Sequence, residues 1–135
     1  MWFDIHPNSP VSICEQIVAQ VIFNVASGGL EVGSLIPSVR ELGARLTVHP
    51  NTVAKAYQEL ERMGVLTVRR GRGMEVAPDA LKLCQAERRN RIRQRIREAL
   101  HEAISSGLPR DEVRRLVEEE LANHGNGRRR ERHQE

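Results

Sequence analysis

Residues 36 to 73 read IPSVRELGARLTVHPNTVAKAYQELERMGVLTVRRGRG. Two short helical patterns lie three residues apart in this stretch. Ser38 is placed to cap the first, with Glu41 three residues on in the capping-box position. Val39, Leu42 and Leu46 share its inner face. Thr47-Val48 makes the turn. Pro50 suits a first helical position, which makes His49 the cap of the second helix. Val53, Ala56, Tyr57, Leu60 and Met63 face inward along it, and Gly64 ends it. Val65 to Arg69 then reads as a strand. Residues 70–73, RGRG, make a turn in which both glycines tolerate positive φ, and Met74 to Ala77 returns as a second strand. The order predicts a helix-turn-helix with a β-wing, a device that reads double-stranded DNA.

Working outward, Phe3 and Ile5 alternate with polar residues in an extended start. Ser9-Pro10 resembles an N-cap followed by a first-turn proline. From Val11 to Ser27, Cys14, Ile17, Val18, Val21, Ile22 and Val25 recur at helical spacing, and Gly28-Gly29 ends the helix. Residues 30–37, LEVGSLIP, read as a loop turning at Gly33. Beyond Pro78, Asp79 caps a long helix to about Ser106, with Leu81, Cys84, Ile92, Ile96, Leu100, Ala103 and Ile104 as its apolar positions. Gly107 ends it. Pro109 opens a last helix with Val113, Leu116, Val117 and Leu121 inward. Residues 125–135, GNGRRRERHQE, hold no apolar side chain and are expected to be disordered. The fold class is therefore mainly α with a small β-wing. A winged helix-turn-helix occupies residues 1–78, a two-helix dimerisation region 79–124, and a basic tail 125–135. Fewer than 50 residues with one apolar stripe per helix bury too little surface alone, so the helix pair is expected to associate with a second copy.

The chain has 135 residues, a formal net charge of +3 and only 3% aromatic residues, so its core must be mostly aliphatic. Arg and Lys balance Asp and Glu at seven each over residues 1–78, while residues 79–135 hold fourteen against eleven. A DNA-binding face in the first part must come from arrangement rather than bulk charge. Cys14 and Cys84 have no metal-like spacing and read as reduced thiols. No run approaches a membrane span, and the start lacks the order of a signal peptide, so a cytoplasmic protein is expected.

A helix presents its first turn to base edges in the major groove. The exposed candidates there are His49, Asn51 and Thr52, with Lys55 one turn later. Asn can bond adenine through two hydrogen bonds, Thr can reach a base or a phosphate, and Lys can supply a charge. The competing reading is a solvated helix start. Arg40, in the preceding helix, is placed for a phosphate, or else pairs with Glu41 or Glu61. Ser38 adds a hydroxyl, and Arg45 is the weaker neighbour. In the wing, Arg69, Arg70 and Arg72 surround Gly71, which lets the backbone approach a groove closely. Arginine suits the negative minor groove; otherwise the hairpin is simply made soluble by charge. The run Arg88 to Arg97, RRNRIRQRIR, reads as a solvated face paired with Glu118-Glu119-Glu120 across the hairpin or a dimer, or as a second DNA element.

No constellation supports catalysis: there is no phosphate-binding glycine loop, no HExxH and no nucleophile elbow. His6, His49, His101, His124 and His133 are scattered, and His101 with Cys84 lacks further ligands. No cofactor and no metal are expected, and an effector is left open.

The stretch from about Val11 to Ala77 resembles the N-terminal domain of the GntR family of bacterial transcription regulators. ICEQI, IPSVRELGARL, VHPNTVAKAYQELERMGVL and the RRGRG wing carry the resemblance. The short two-helix remainder is similar to the YtrA-like subfamily, where that region dimerises. The resemblance implies a winged-helix dimer on a palindromic operator, usually a repressor, with DNA contact at Arg40, Asn51, Thr52, Arg70 and Gly71. His49-Pro50 stands where many members have Ser-Arg, and Ala54 where arginine is frequent, so no recognition-helix arginine is carried over. The rival class is a winged-helix protein-interaction module without specific DNA binding.

Overall fold

The first helix starts three residues after the serine-proline signal. In the computed structural model, which describes residues 3–134 and the side chains of 3–125, α1 spans Ile13–Ala26 and is capped by Ser12, whose hydroxyl accepts from the Glu15 amide at 3.1 Å. Ser9, the expected cap, instead closes a preceding turn: its hydroxyl accepts from Val11 N at 3.1 Å, and its own amide donates to His6 O at 3.2 Å. Ser12-x-x-Glu15 is itself a capping signature, and it won because its amides are followed by an unbroken helical run.

The helix-turn-helix follows as expected. α2 spans Val39–Leu46 and α3 spans Pro50–Arg62. Ser38 Oγ accepts from Glu41 N at 3.1 Å, and His49 Nδ1 accepts from Asn51 N at 3.0 Å. Thr47 ends α2 in the left-handed region, φ 53°. The turn is tight because Gly43 lets it be so. A Cβ on Gly43 would lie 2.8 Å from the Val48 carbonyl oxygen, a backbone atom that cannot swing aside.

The wing is β1, Leu66–Arg69, antiparallel to β2, Gly73–Val76, in the register Leu66 to Val76 and Arg69 to Gly73. Arg70, Gly71 and Arg72 form the loop, closed by Arg72 N donating to Arg69 O at 3.0 Å, with Gly71 at φ 76° and Gly73 at φ 106°. The stretch read as a plain loop does more than connect. Ile36 N donates to Met74 O, Val76 N to Ser34 O and Gly33 N to Val76 O, and Leu35 bridges Glu75. These bonds cover the outer edge of β2, which would otherwise present unpaired amides.

Ile17, Val21, Ile22, Val53, Leu60, Val65 and Val76 are fully buried where α1, α3 and the base of the wing meet. The segment before α1 is held by amides rather than by strand pairing. Gln16 Oε1 accepts from His6 N at 2.8 Å while its Nε2 donates to His6 O and Val11 O. Gln20 brackets Asp4 in the same way, at 2.8 and 2.5 Å.

α4 spans Ala80–Ser105 and α5 Arg110–Gln134. The chain divides into two compact units, Met1–Arg91 and Ile92–Glu135. The first extends beyond residue 78 because Ala80 and Cys84, on the opening turns of α4, are completely buried in its core. In the second unit Gly107, at φ 96°, turns the chain into α5, and Val113 is its one buried apolar side chain among the described residues. The expected disordered tail falls on residues whose side chains lie outside the description; their backbone continues α5 to Gln134.

Candidate nucleic-acid interface

The two helix starts and the wing tip are where the expected contact residues sit. Ser38, Arg40, His49, Asn51, Lys55, Arg69, Arg70, Gly71 and Arg72 are all exposed, and Thr52 is half-buried. Two of them already have local duties. Ser38 spends an oxygen lone pair on its cap. His49 spends Nδ1 in the same way, so in its neutral form the ring hydrogen is on Nε2, which stays available as a donor.

The cations separate into two groups. Arg69 Nε lies 2.5 Å from Glu75 Oε1, a carboxylate only 11% exposed, and Arg45 lies 4.0 Å from Glu41. Arg40, Lys55, Arg70 and Arg72 make no ion pair among the described residues. The alternative partners for Arg40, Glu41 and Glu61, do not take it. An exposed cation without a carboxylate keeps its whole charge for an outside anion. Arg69 instead braces the wing from within, a role the sequence did not reveal because Glu75 is across the hairpin.

The walls of one open groove of about 910 Å³ carry Ser38 and Arg45 of α2 and Arg72 and Met74 of the wing, with Tyr57 of α3. Tyr57 fixes this geometry. Its hydroxyl donates to Pro37 O at 2.8 Å, tying α3 to the residue before the α2 cap. Burial, then the nearby Glu41 carboxylate, pushes the phenol well above its ordinary range, so it remains a donor. Sequence periodicity marked Tyr57 as inward but could not show what its hydroxyl holds.

The arginine run on α4 is largely a solvated face, as one of its two readings had it. Arg91 alone is engaged, with Glu15 and Glu87, while Arg89, Arg93, Arg95 and Arg97 are exposed. The thiols are chemically quiet: burial pushes Cys84 up to about 11 and raises Cys14 as well, so both are protonated at neutral pH. No group of three His, Cys, Asp or Glu side chains that could hold a metal occurs among the described residues. No helix among them is long and apolar enough to cross a membrane.

A two-helix reading head, a basic hairpin and an appended helix pair define a winged helix-turn-helix regulator. The model of the gntR family of bacterial regulatory proteins matches residues 13–76, from the start of α1 to the end of β2. The HTH-type transcriptional repressor YtrA of Bacillus subtilis (strain 168) is 32% identical over 115 residues, which are 85% of this chain and 88% of that protein. The crystal structure of a transcriptional antiterminator from Listeria monocytogenes EGD-e aligns with a TM-score of 0.68 at 35% identity, covering 90% of each chain. YtrA from Sulfolobus acidocaldarius, a GntR-family transcription factor, aligns at 0.57 with 34% identity, over 73% of this chain and 97% of that one. The chain belongs to the GntR family of transcription regulators, on the YtrA-like side of it, and is a DNA-binding regulator rather than an enzyme.

Proposed function

We propose that the protein is a homodimeric repressor that binds a palindromic operator in the cytoplasm. The observation that carries the reading is the set of four exposed, uncompensated cations, Arg40, Lys55, Arg70 and Arg72, on the two helices and the wing of one DNA-binding domain. In this reading His49, Asn51 and Thr52 enter the major groove with the start of α3, Arg40, Ser38 and Lys55 meet the flanking phosphates, and Arg70, Gly71 and Arg72 enter the adjoining minor groove. Arg69, held by Glu75, contributes shape more than contact. The B. subtilis relative is a transcriptional repressor, which supports the sign of regulation.

Dimerisation is supported by what residues 92–124 leave in water. Ile96, Ile104, Leu116 and Val117 are each about half exposed, and Leu121 is 68% exposed. An open apolar groove lies beside them, lined by Leu100, Ile104, Val113 and Val117. Side chains of this size gain about 1.5–3 kcal/mol each when fully buried. A second copy of the same helix pair offers the matching surface, and its two-fold axis would set half-sites about one helical turn, or a small multiple, apart.

The test is selection of bound sequences from a random duplex pool by the full chain, followed by gel-shift titration on the winner. Symmetric half-sites are expected; retention of random duplexes without enrichment would remove sequence-specific reading. On the selected operator, Arg40→Ala is expected to weaken binding by about 1–3 kcal/mol. Unchanged affinity at fixed salt would take α2 out of the interface. Arg70→Ala is expected to lower the slope of log K against log salt by roughly one as well as the affinity, because a phosphate-neutralising charge is lost. An identical slope would leave the wing in solvent.

A further inference from the structure

We propose that Arg91 is a positioning residue for operator spacing: its guanidinium, held between Glu15 of α1 and Glu87 of α4, locks the last packed turn of α4 onto the DNA-binding unit and so defines which half-site separation a dimer accepts. The proposal rests on the dimeric DNA-binding reading above. Arg91 donates from Nη1 to Glu15 Oε1 and from Nε to Glu87 Oε1 at 3.1 Å, and only 23% of its side chain is exposed. The two carboxylates belong to different helices, so the planar guanidinium fork fixes direction as well as distance. Burial works against the charge, but the bonds to Glu15 and Glu87 outweigh it and hold the guanidinium firmly protonated. Arg91 therefore joins α1 to α4.

The rest of the attachment is slight. The buried side chains of α4 are Ala80 and Cys84, both small, with Leu83 partly buried beside them. Arg91 is the last residue of the first unit. Helix α4 continues to Ser105, a further reach of roughly 21 Å at 1.5 Å per residue. With Arg91 the final anchor is one residue from the boundary; without it, Cys84 becomes the final anchor and the unsupported lever lengthens by about 10 Å. A swing of roughly 10° over 21 Å already moves the far end by about one base-pair step, ~3.4 Å. Small looseness at this one side chain is thus large on the scale by which operators differ in spacing.

Selection from a random duplex pool is run in parallel with the wild type, Arg91→Ala, and the charge-reversed pair Glu15→Arg with Arg91→Glu. The wild type is expected to return one spacer length. Arg91→Ala is expected to return the same half-site with several spacers, and its preference for the wild-type spacer over one a base pair longer falls by roughly tenfold, the scale of one ion-pair coupling. The reversed pair restores part of that preference. A lost core contact would lower half-site affinity without broadening the spacing, so the two roles separate. The same single spacer from wild type and Arg91→Ala overturns the proposal. Hydrogen exchange gives an arm independent of DNA: amides of residues 87–94 exchange faster in Arg91→Ala if the lock is real, and unchanged protection overturns it. If the wild type selects no paired half-sites, the dimeric reading fails, and exchange alone still decides whether Arg91 locks α4.

Discussion

A chain carrying Ile96→Glu together with Leu121→Glu is expected to sediment as a monomer and to lose operator affinity by about 10²–10⁴-fold. Ile96 is 54% exposed and Leu121 68% exposed, so neither change empties a core within the single chain, and helicity should survive. In the proposed dimer the same positions would be buried, and each glutamate would bring an unpartnered charge into an apolar seam. The affinity loss comes from the arithmetic of linkage. Once one reading head is bound, its partner meets the second half-site at a high effective concentration, and separating the copies removes that advantage without touching a single DNA contact. Binding to an isolated half-site should therefore stay unchanged. Sedimentation showing an intact dimer, or a monomer that still holds the full operator at wild-type affinity, would defeat the prediction.

Leu60→Ala is expected to destabilise the DNA-binding unit by about 2–5 kcal/mol. Leu60 is 0% exposed on the inner face of α3, among Ile17, Val21, Val53 and Val65, which are equally buried. Removing its isobutyl group forfeits the transfer energy and leaves a void that flanking helices close only in part. Against a usual total of about 5–15 kcal/mol, that is a large fraction. Calorimetry at fixed protein concentration is the measurement, because the proposed dimerisation would make the melting temperature depend on concentration. A fall of under about 0.5 kcal/mol would mean that α3 is not seated on α1 in the way described, since surface changes alone are of that size. DNA affinity should fall only as the folded fraction falls, since the exposed start of α3 is not altered.

What could be read in the chain and what could not divide along sequence distance. The caps at Ser38 and His49 bind amides three and two residues away, respectively, and the turn glycines answer only to their own φ. Such signals are complete within one helical turn, so they survive without knowledge of the fold. The inner face of α3 was equally legible, because the 3.6-residue repeat is a property of the helix itself. The start of α1 was misplaced since Ser9 and Ser12 both carry a cap signature, and only the observed bonds show that Ser9 closes a turn instead.

The remaining features join residues that the sequence gives no reason to associate. Leu35 bridges Glu75 across forty residues, Tyr57 reaches Pro37, and Gln16 and Gln20 hold the segment before α1. One of the two partners of Arg91, Glu15, lies 76 positions away, and Arg91 itself stands among five other arginines of similar local appearance. The elements and their order were therefore written locally in the chain by periodicity, caps and glycines. Which cations stay free, where α4 is fastened and how the wing is braced were decided only by folding, because a charge is claimed by whichever opposite charge the packed helices bring within reach.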